Sequence, residues 1–365
     1  MTDLALKHGL QFSDLYDRGG LIRLDRAFVA HLGAAHAELH NRLMAGRADP
    51  AALDRKAESD LLVDLAPYVE DFLGDLFGIG GEVRALQARH DKLAPLYSVK
   101  RLFVQRRAVK EIKEDAAAQL NGHRLAEELE AQIGGPPKDL APDFGSRRGV
   151  LDWELRYAEA VGRWLDDEAA HQQPIKLALE YAAWATLSRE GQARHKRGLL
   201  FKVPHRLDMH HLVPVETIER EGVTMLRRPE SDWRARDGFA LTDAGTDLAG
   251  AMDQANYCIW CHNQQKDSCR SGLHEKDGSF RKSVFGVTLA GCPLDEKISE
   301  MNLVKARGYS IGALAIVAVD NPICAATGHR ICNDCMKACI YQRQDPVDIP
   351  QIETRTLKDV LGLPW

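Results

Sequence analysis

The chain has 365 residues, 45% of them hydrophobic and 28% charged, and a formal net charge of −5. That length and balance suit a globular protein of two or three domains. The acidic balance gives no electrostatic case for nucleic acid or an anionic membrane as the main partner, and no run of about 18 apolar residues marks a membrane span. The N-terminus, Met-Thr-Asp-Leu-Ala-Leu-Lys-His-Gly, lacks the apolar stretch of a secretory signal, so a cytoplasmic protein is expected.

Residues 1–20 are polar and end in a turn signal, Asp17-Arg-Gly-Gly20. From Leu21, apolar residues recur at three- and four-residue steps (Leu24, Phe28, Leu32, Ala35, Leu39, Leu43), which predicts helix. Residues 60–77 form a second amphipathic stretch, which Pro67 is expected to kink or split. Gly78-Ile-Gly80-Gly81 has the glycines of a phosphate loop without a preceding strand or the G-x-G-x-x-G spacing, so it reads as a helix–helix turn. No other stretch offers a dinucleotide fingerprint, so FAD and NAD(P) are not expected in a Rossmann fold of this chain.

Further helices are predicted at 82–90, 98–120 and 123–133. The basic run Lys100, Arg101, Arg106, Arg107, Lys110 and Lys113 reads as a solvated helix face. A linker rich in Gly and Pro follows near 134–149, and helices resume at 150–170 and 175–190. Trp153, Trp164 and Trp184 on these helices are expected in the core. Residues 199–240 read as an irregular connector, with short strands or extended arms at Leu199–His205 and Leu212–Glu216. His205, His210 and His211 within it read as surface or satisfied histidines rather than a metal site. Thr242 is a plausible N-cap for the helix that runs into Cys258. The expected domains are therefore 1–198, helical; 199–240, connector; and 241–365, the cysteine-bearing domain.

All eight cysteines lie in that last segment. One group is Cys258, Cys261, Cys269 and Cys292; the other is Cys324, Cys332, Cys335 and Cys339. Disulfides need an oxidising compartment, which nothing here indicates. Zinc wants four ligands per site; Cys258/Cys261 with Cys332/Cys335 would make one site and leave four cysteines over. Clusters of the [4Fe–4S] kind want four thiolates each and favour a C-x2-C run with a further Cys and a distant Cys-Pro, and eight divide into two such sets without remainder. The expected cofactors are thus two [4Fe–4S] clusters; the alternative is a zinc-stapled structural or interaction protein with no redox role. Arg270–Gly291, between two of the cysteines, reads as a surface excursion, and Ile311, Leu314, Ile316 and Val317 as apolar packing around the metal.

Four motifs in order carry a resemblance: Ala255-Asn-Tyr-Cys-Ile-Trp-Cys261, Cys292-Pro-Leu-Asp-Glu-Lys-Ile298, Asn321-Pro-Ile-Cys-Ala-Ala-Thr-Gly-His-Arg-Ile-Cys332 and Asp345-Pro-Val-Asp-Ile-Pro-Gln-Ile-Glu353. Together they resemble the helical double-[4Fe–4S] domain that precedes the flavin domains in the glutamate synthase small subunit and dihydropyrimidine dehydrogenase. The chain is also similar to the N-terminal part of a longer bacterial group of FAD-dependent (pyridine nucleotide-disulfide) oxidoreductases. The spacings depart from the family's: seven residues separate Cys261 from Cys269, and 22 separate Cys269 from Cys292, both longer than usual. The resemblance implies a mainly α fold, a helical N-terminal domain followed by an α-helical ferredoxin-like domain. It implies that Cys258, Cys261 and Cys269 hold one cluster and Cys292, Cys332, Cys335 and Cys339 the other. The fourth ligand of the first would be Cys324 or Glu353, the latter aligning with a non-cysteine ligand of dihydropyrimidine dehydrogenase. It further implies an electron-transfer module whose FAD and NAD(P) sit on a partner domain or subunit, with no catalytic acid–base residues of its own.

Overall fold

A computed structural model describes residues 4–133, 146–233, 235–241, 243 and 245–365. The chain is mainly α-helical, with one two-stranded sheet among the described residues. Most of the linker expected near 134–149, and the expected cap Thr242, lie outside the described residues. The contacts divide the chain into two compact units, residues 1–86 with 205–365, and residues 87–204. This division departs from the expected one, because the first 86 residues pack with the cysteine-bearing segment rather than with the helices that follow them.

The first unit opens with α1 (Arg18–Ala35), α2 (Ala37–Ala48) and α3 (Arg55–Leu76), entered through Asp17, whose carboxylate accepts from Gly20 N–H, and Asp54, which accepts from Ala57 N–H. Helix α3 runs unbroken through Pro67. Burial on several faces holds it together, where an exposed helix would break. Leu61 and Leu65 meet Leu32, Leu39 and Leu43 of α1 and α2; Phe72 and Leu76 meet Leu10; Val63 and Ala66 enter the core that contains the cysteines. A turn at Gly78, whose φ of +71° suits glycine, leads to α4 (Gly80–Asp91), so the glycine-rich stretch is a helix–helix turn as expected.

The second unit holds α5 (Ala94–Val99), a π-helical segment at Lys100–Ala108, short α6 (Val109–Glu111) and α7 (Glu114–Ala117), then α8 (Gly122–Ile133), α9 (Arg147–Asp166), α10 (Gln172–Leu187) and α11 (Arg189–Arg194). Trp153, Trp164 and Trp184 are buried as expected. Trp153 stacks on Tyr157 at 5.6 Å, and Tyr181 and Phe201 close the aromatic group. α8 begins against Trp184 at Gly122, where a Cβ would come within 2.0 Å of the indole. Leu199–His205 forms turns and irregular chain, not the expected strand: the N–H groups of Leu199 and Leu200 go to the buried carboxylate of Glu154, at 2.7 and 2.9 Å.

Beyond Pro204 the first unit resumes. An irregular arm is tied down by Leu207 N–H to the Arg343 carbonyl (3.1 Å) and His205 N–H to Asp345 (3.1 Å). The strands fall later than expected, as an antiparallel hairpin of β1 (Glu216–Arg220) and β2 (Val223–Arg227). Its two-residue turn, Glu221-Gly222, has positive φ at both positions, which matches the right-handed twist of the strands. The helices α12 (Leu248–Tyr257), α13 (Ser268–Ser271), α14 (Ile298–Ala306), α15 (Ser310–Asp320), α16 (Cys324–Ile331), α17 (Asp334–Ala338) and α18 (Ile349–Leu361) complete the fold. Asp247 rather than Thr242 caps α12, accepting from Gly250 N–H.

Candidate metal centre

The cysteines sit where short helices end. α12 delivers Cys258 at its C-terminal cap, α13 carries Cys269, α16 opens on Cys324, and α17 carries Cys335 and ends at Cys339. Five of them, Cys258, Cys269, Cys324, Cys335 and Cys339, share one apolar core with Val63, Ala66, Ile298, Val304, Ile316 and Ile352, and Cys292 packs against it. Cys261 is buried nearby, whereas Cys332 is exposed. Ile316 and Val317 line this core as expected, while Ile311 packs instead with Ile79 and Val83, and Leu314 touches both groups.

Electrostatic proximity sorts the thiols into two sets. Cys261 feels Cys258 and Cys339; Cys269 is hydrogen-bonded to Cys339 and feels Cys258. Cys258, Cys261, Cys269 and Cys339 thus form one set. Cys335 feels Glu353, Cys292 and Cys332, and both Cys292 and Cys324 feel Glu353 and Glu296. Cys292, Cys324, Cys332 and Cys335 form the other, with Glu353 among them. This grouping differs by one exchange from the one that the resemblance implies. Cys339 lies with Cys269 because α17 packs on α13, and both residues considered as a fourth partner for Cys258, Cys261 and Cys269, namely Cys324 and Glu353, lie with the second set.

Several sulfur atoms already accept backbone hydrogen bonds. Trp260 N–H points to Cys258 Sγ at 3.4 Å, Leu294 and Glu296 N–H to Cys292, and Tyr341 and Val347 N–H to Cys339. Two left-handed non-glycine residues, Trp260 (φ +54°) and Asp295 (φ +55°), shape these loops. Such strain in a non-glycine residue persists only where the surroundings enforce it, and it clusters at functional sites. The long Arg270–Gly291 excursion is pinched at its neck, where Cys292 N–H donates to the Cys269 carbonyl at 2.8 Å and Gly291 (φ +82°) lies so close to Gly272 that a Cβ would come within 2.6 Å of its nitrogen. An insertion of this length therefore leaves the two cysteines side by side. Its outer part is exposed, as expected, with single bridges at His274–Phe280 and Lys282–Thr288.

Burial pushes most of the thiols up: Cys258 and Cys292 to about 11 and Cys261 to about 12, with Cys335 raised further by burial and Glu353. Cys339 is lowered to about 7 by the hydrogen bond from Cys269, which holds its own proton well above the usual range. A buried thiol that resists ionisation in an apolar core becomes a thiolate when a cation binds it. Glu353 is buried, raised by that burial and by its hydrogen-bonded neighbour Glu296. Beside Cys269, Asp267 Oδ2 and Ser268 Oγ are buried without a hydrogen-bond partner. The donor set, eight thiols in two fours with N–H groups aimed at sulfur, fits [4Fe–4S] ligation. Among the described residues, no group of three or more His, Cys, Asp or Glu side chains is placed to hold a metal ion. The histidines of the connector are not drawn together: His211 pairs with Asp208 at 2.7 Å in the open, and His205 uses its backbone.

The sequence reading missed the part played by α3. Ser59 Oγ hydrogen-bonds Glu300 of α14, Glu58 pairs with Arg270 and Lys297, Ala66 backs onto Gly312, and the Glu70 carboxylate accepts from Ile311 and Gly312 N–H at 2.8 and 3.2 Å. The signal available was an excess of apolar residues over residues 60–77, too many for a single helical face.

Comparison with known proteins agrees with a distinct N-terminal helical segment. The family described as the RP005 N-terminal alpha-helical domain matches residues 6–78. The chain is 29% identical over 320 residues to the uncharacterized protein RP005 of Rickettsia prowazekii (strain Madrid E), covering 83% of this chain and 99% of that protein. It is also 71% identical over 41 residues to the uncharacterized protein RP006 of the same organism, a stretch that makes up 11% of this chain and 6% of that protein. No solved structure matches. Among the described residues no helix is long and apolar enough to cross a membrane.

Proposed function

We propose that this chain is an iron–sulfur electron-transfer module, holding two [4Fe–4S] clusters, that works with a flavin- and NAD(P)H-dependent oxidoreductase domain or subunit. The observation that carries the reading is the gathering of the cysteines into two fours, six of them in or against one apolar core. Cys258, Cys261, Cys269 and Cys339 would hold one cluster, and Cys292, Cys324, Cys332 and Cys335 the other. When bound, such clusters supply reversible one-electron steps. The chain's own contribution is to hold and tune them. Backbone N–H groups of Trp260, Leu294, Glu296, Tyr341 and Val347 stabilise charge on sulfur, and Ile298, Ile316, Ile352 and Val63 keep water away. Both effects set reduction potential. Glu353 stands beside the second set, its proton held more tightly by burial and by Glu296.

A 41-residue stretch of this chain recurs at 71% identity inside the much longer RP006, whereas RP005 is matched over 99% of its own length. The flavin partner is carried by the resemblance to double-cluster domains that precede flavin domains. Anaerobic purification followed by iron, sulfide and zinc analysis tests the reading. About eight iron and eight sulfide per chain, with a broad brown absorption bleached by dithionite, is the expected result. Zinc without sulfide overturns it and leaves a zinc-stapled interaction protein.

A further inference from the structure

Helix α14 is buried on every side from Ile298 to Lys305, so its polar side chains must find partners inside the protein. Ser299 Oγ accepts His262 N–H at 3.2 Å and meets His262 Nδ1 at 2.6 Å, which fixes the loop beside Cys261. Glu300 takes Ser59 Oγ, and Lys305 binds Asp359 at 2.7 Å and Ser310 at 2.9 Å. Asn302 differs. It is 1% exposed, yet neither Nδ2 nor Oδ1 has a nitrogen or oxygen partner. It stands one turn after Ile298, on the face that enters the cysteine core with Ala255 and Cys258 from the packed helix α12. The polar group it meets is sulfur: its amide bears on Cys258 and opposes the burial that raises that thiol. Helix α14 thus holds the Cys258–Cys261 loop at both ends, through Asn302 at the first cysteine and Ser299 just beyond the second.

A buried amide with neither end matched by nitrogen or oxygen calls for a bound group to explain it. A neutral thiol is a weak acceptor, whereas sulfur that carries negative charge takes a strong, charge-assisted hydrogen bond. Resting on the function proposed above, we infer that Asn302 Nδ2 donates to charged sulfur at the site of Cys258, Cys261, Cys269 and Cys339, and so raises the reduction potential of that site. Reduction there adds one electron, whose charge is shared with the sulfur atoms. The amide steadies that charge and gives up no proton, and no bond to the chain is made or broken. A donor that favours the more negative state raises the potential. At the second set the neighbouring buried side chains are instead the carboxyls Glu296 and Glu353, bonded to each other. The Asn321 amide beside them is spent on Thr327, at 3.2 Å, and on Glu296. The effect of Asn302 therefore belongs to the first set.

The test uses the full chain, loaded and anaerobic, titrated with dithionite through redox mediators while the paramagnetic signal of each set is followed. The first set's signal is the one that Cys258→Ala removes. Asn302→Leu keeps the branched shape of the amide and has no donor. At a fixed applied potential it should lower the reduced-to-oxidised ratio of the first set about tenfold, a fall of about 59 mV for one electron, and leave the second set unmoved. Asn302→Ala is smaller and also lacks a donor; it should give a fall in the same direction, and it decides the matter if Asn302→Leu loads poorly. Met301→Leu, a volume-conserving change in the same core, should move neither potential. No shift in the donor-free variants, a rise, an equal shift at both sets, or the same shift from Met301→Leu overturns the inference. So does loss of the first set's iron in both donor-free variants, which would make Asn302 a part of the fold rather than a group that sets a potential. A parent without a brown band would instead overturn the proposed function itself.

Discussion

The polar network around Glu154 in the second unit and the polar atoms beside Cys269 in the first are buried in different ways. In the second unit, Glu154 is wholly buried, yet every oxygen is answered: His195 Nδ1 lies 2.9 Å from Oε1, and Leu199 and Leu200 N–H donate to Oε2. His195 Nε2 in turn meets Tyr181 OH at 2.9 Å inside a shell of Trp153, Tyr157 and Phe201. This network closes on protein atoms alone. Around the cysteines of the first unit, Asp267 Oδ2 and Ser268 Oγ have no partner, and thiols are held neutral by burial. Native folds leave few buried polar groups unmatched, and those few call for a strain, a catalytic role or a bound group. The Glu154 network is satisfied by protein atoms, whereas the polar atoms beside Cys269 are not.

The sharpest way to break this comparison is to remove cysteines from each set in turn. Cys258→Ala and Cys339→Ala should abolish the same reduced-state paramagnetic signal, and each should lower iron from about eight to about four per chain. Cys324→Ala should abolish the other signal. If Cys324→Ala matched Cys258→Ala instead, the grouping implied by sequence resemblance would be restored. The second unit should be indifferent to all three changes, as judged by its own unfolding transition.

The converse change should damage the second unit and spare the metal. Glu154→Ala leaves His195 and two backbone N–H groups buried without their acceptor. Losing one partner of such a network costs about 3–5 kcal/mol. The space is already tight, since a Cβ on Gly198 would meet Glu154 Oε1 at 1.9 Å. Urea unfolding followed by tryptophan fluorescence should show the loss, because Trp153, Trp164 and Trp184 all lie in this unit, with iron content unchanged.

Much of this was legible in the sequence, and the rest was hidden for identifiable reasons. Helical periodicity around Leu32 and Leu39, the core tryptophans and the turn at Gly78 are local signals, and each reports its own environment. The eight cysteines announced a common purpose by clustering. Their division into fours was not legible, because it depends on α17 lying across α13, a contact between segments more than 60 residues apart. The strands at Glu216–Arg220 and Val223–Arg227 were missed because the reading followed apolar content at Leu199 and Leu212. The positive-φ pair Glu221-Gly222 was the better marker. Pro67 misled in the other direction: a helix buried on several faces tolerates a break that an isolated helix would not.

The smallest expected effect concerns the joint between α3 and the cysteine core. Glu70 is 3% exposed, and burial raises it from 4.5 to about 7, although the N–H groups of Gly312 and Ile311 and nearby Lys305 oppose the shift. Lys305 is itself committed to Asp359 at 2.7 Å, so it offers Glu70 no direct ion pair. A carboxyl raised in the folded state binds its proton more tightly there than when unfolded. Its contribution to stability is therefore complete below pH 4.5 and is lost as pH rises through about 7. Glu70→Gln keeps the shape and one acceptor oxygen for the start of α15 but cannot ionise. Comparing parent and variant at pH 5 and pH 8 isolates this residue, because other raised carboxyls such as Asp267 are common to both. The variant should gain on the parent by about 1–3 kcal/mol over that interval in the urea midpoint of the first unit. A constant gap between them would mean that Glu70 is ionised throughout, held by the N–H groups of Ile311 and Gly312. In that case α3 would be tied to the cysteine core by a charged cap rather than by a neutral hydrogen bond.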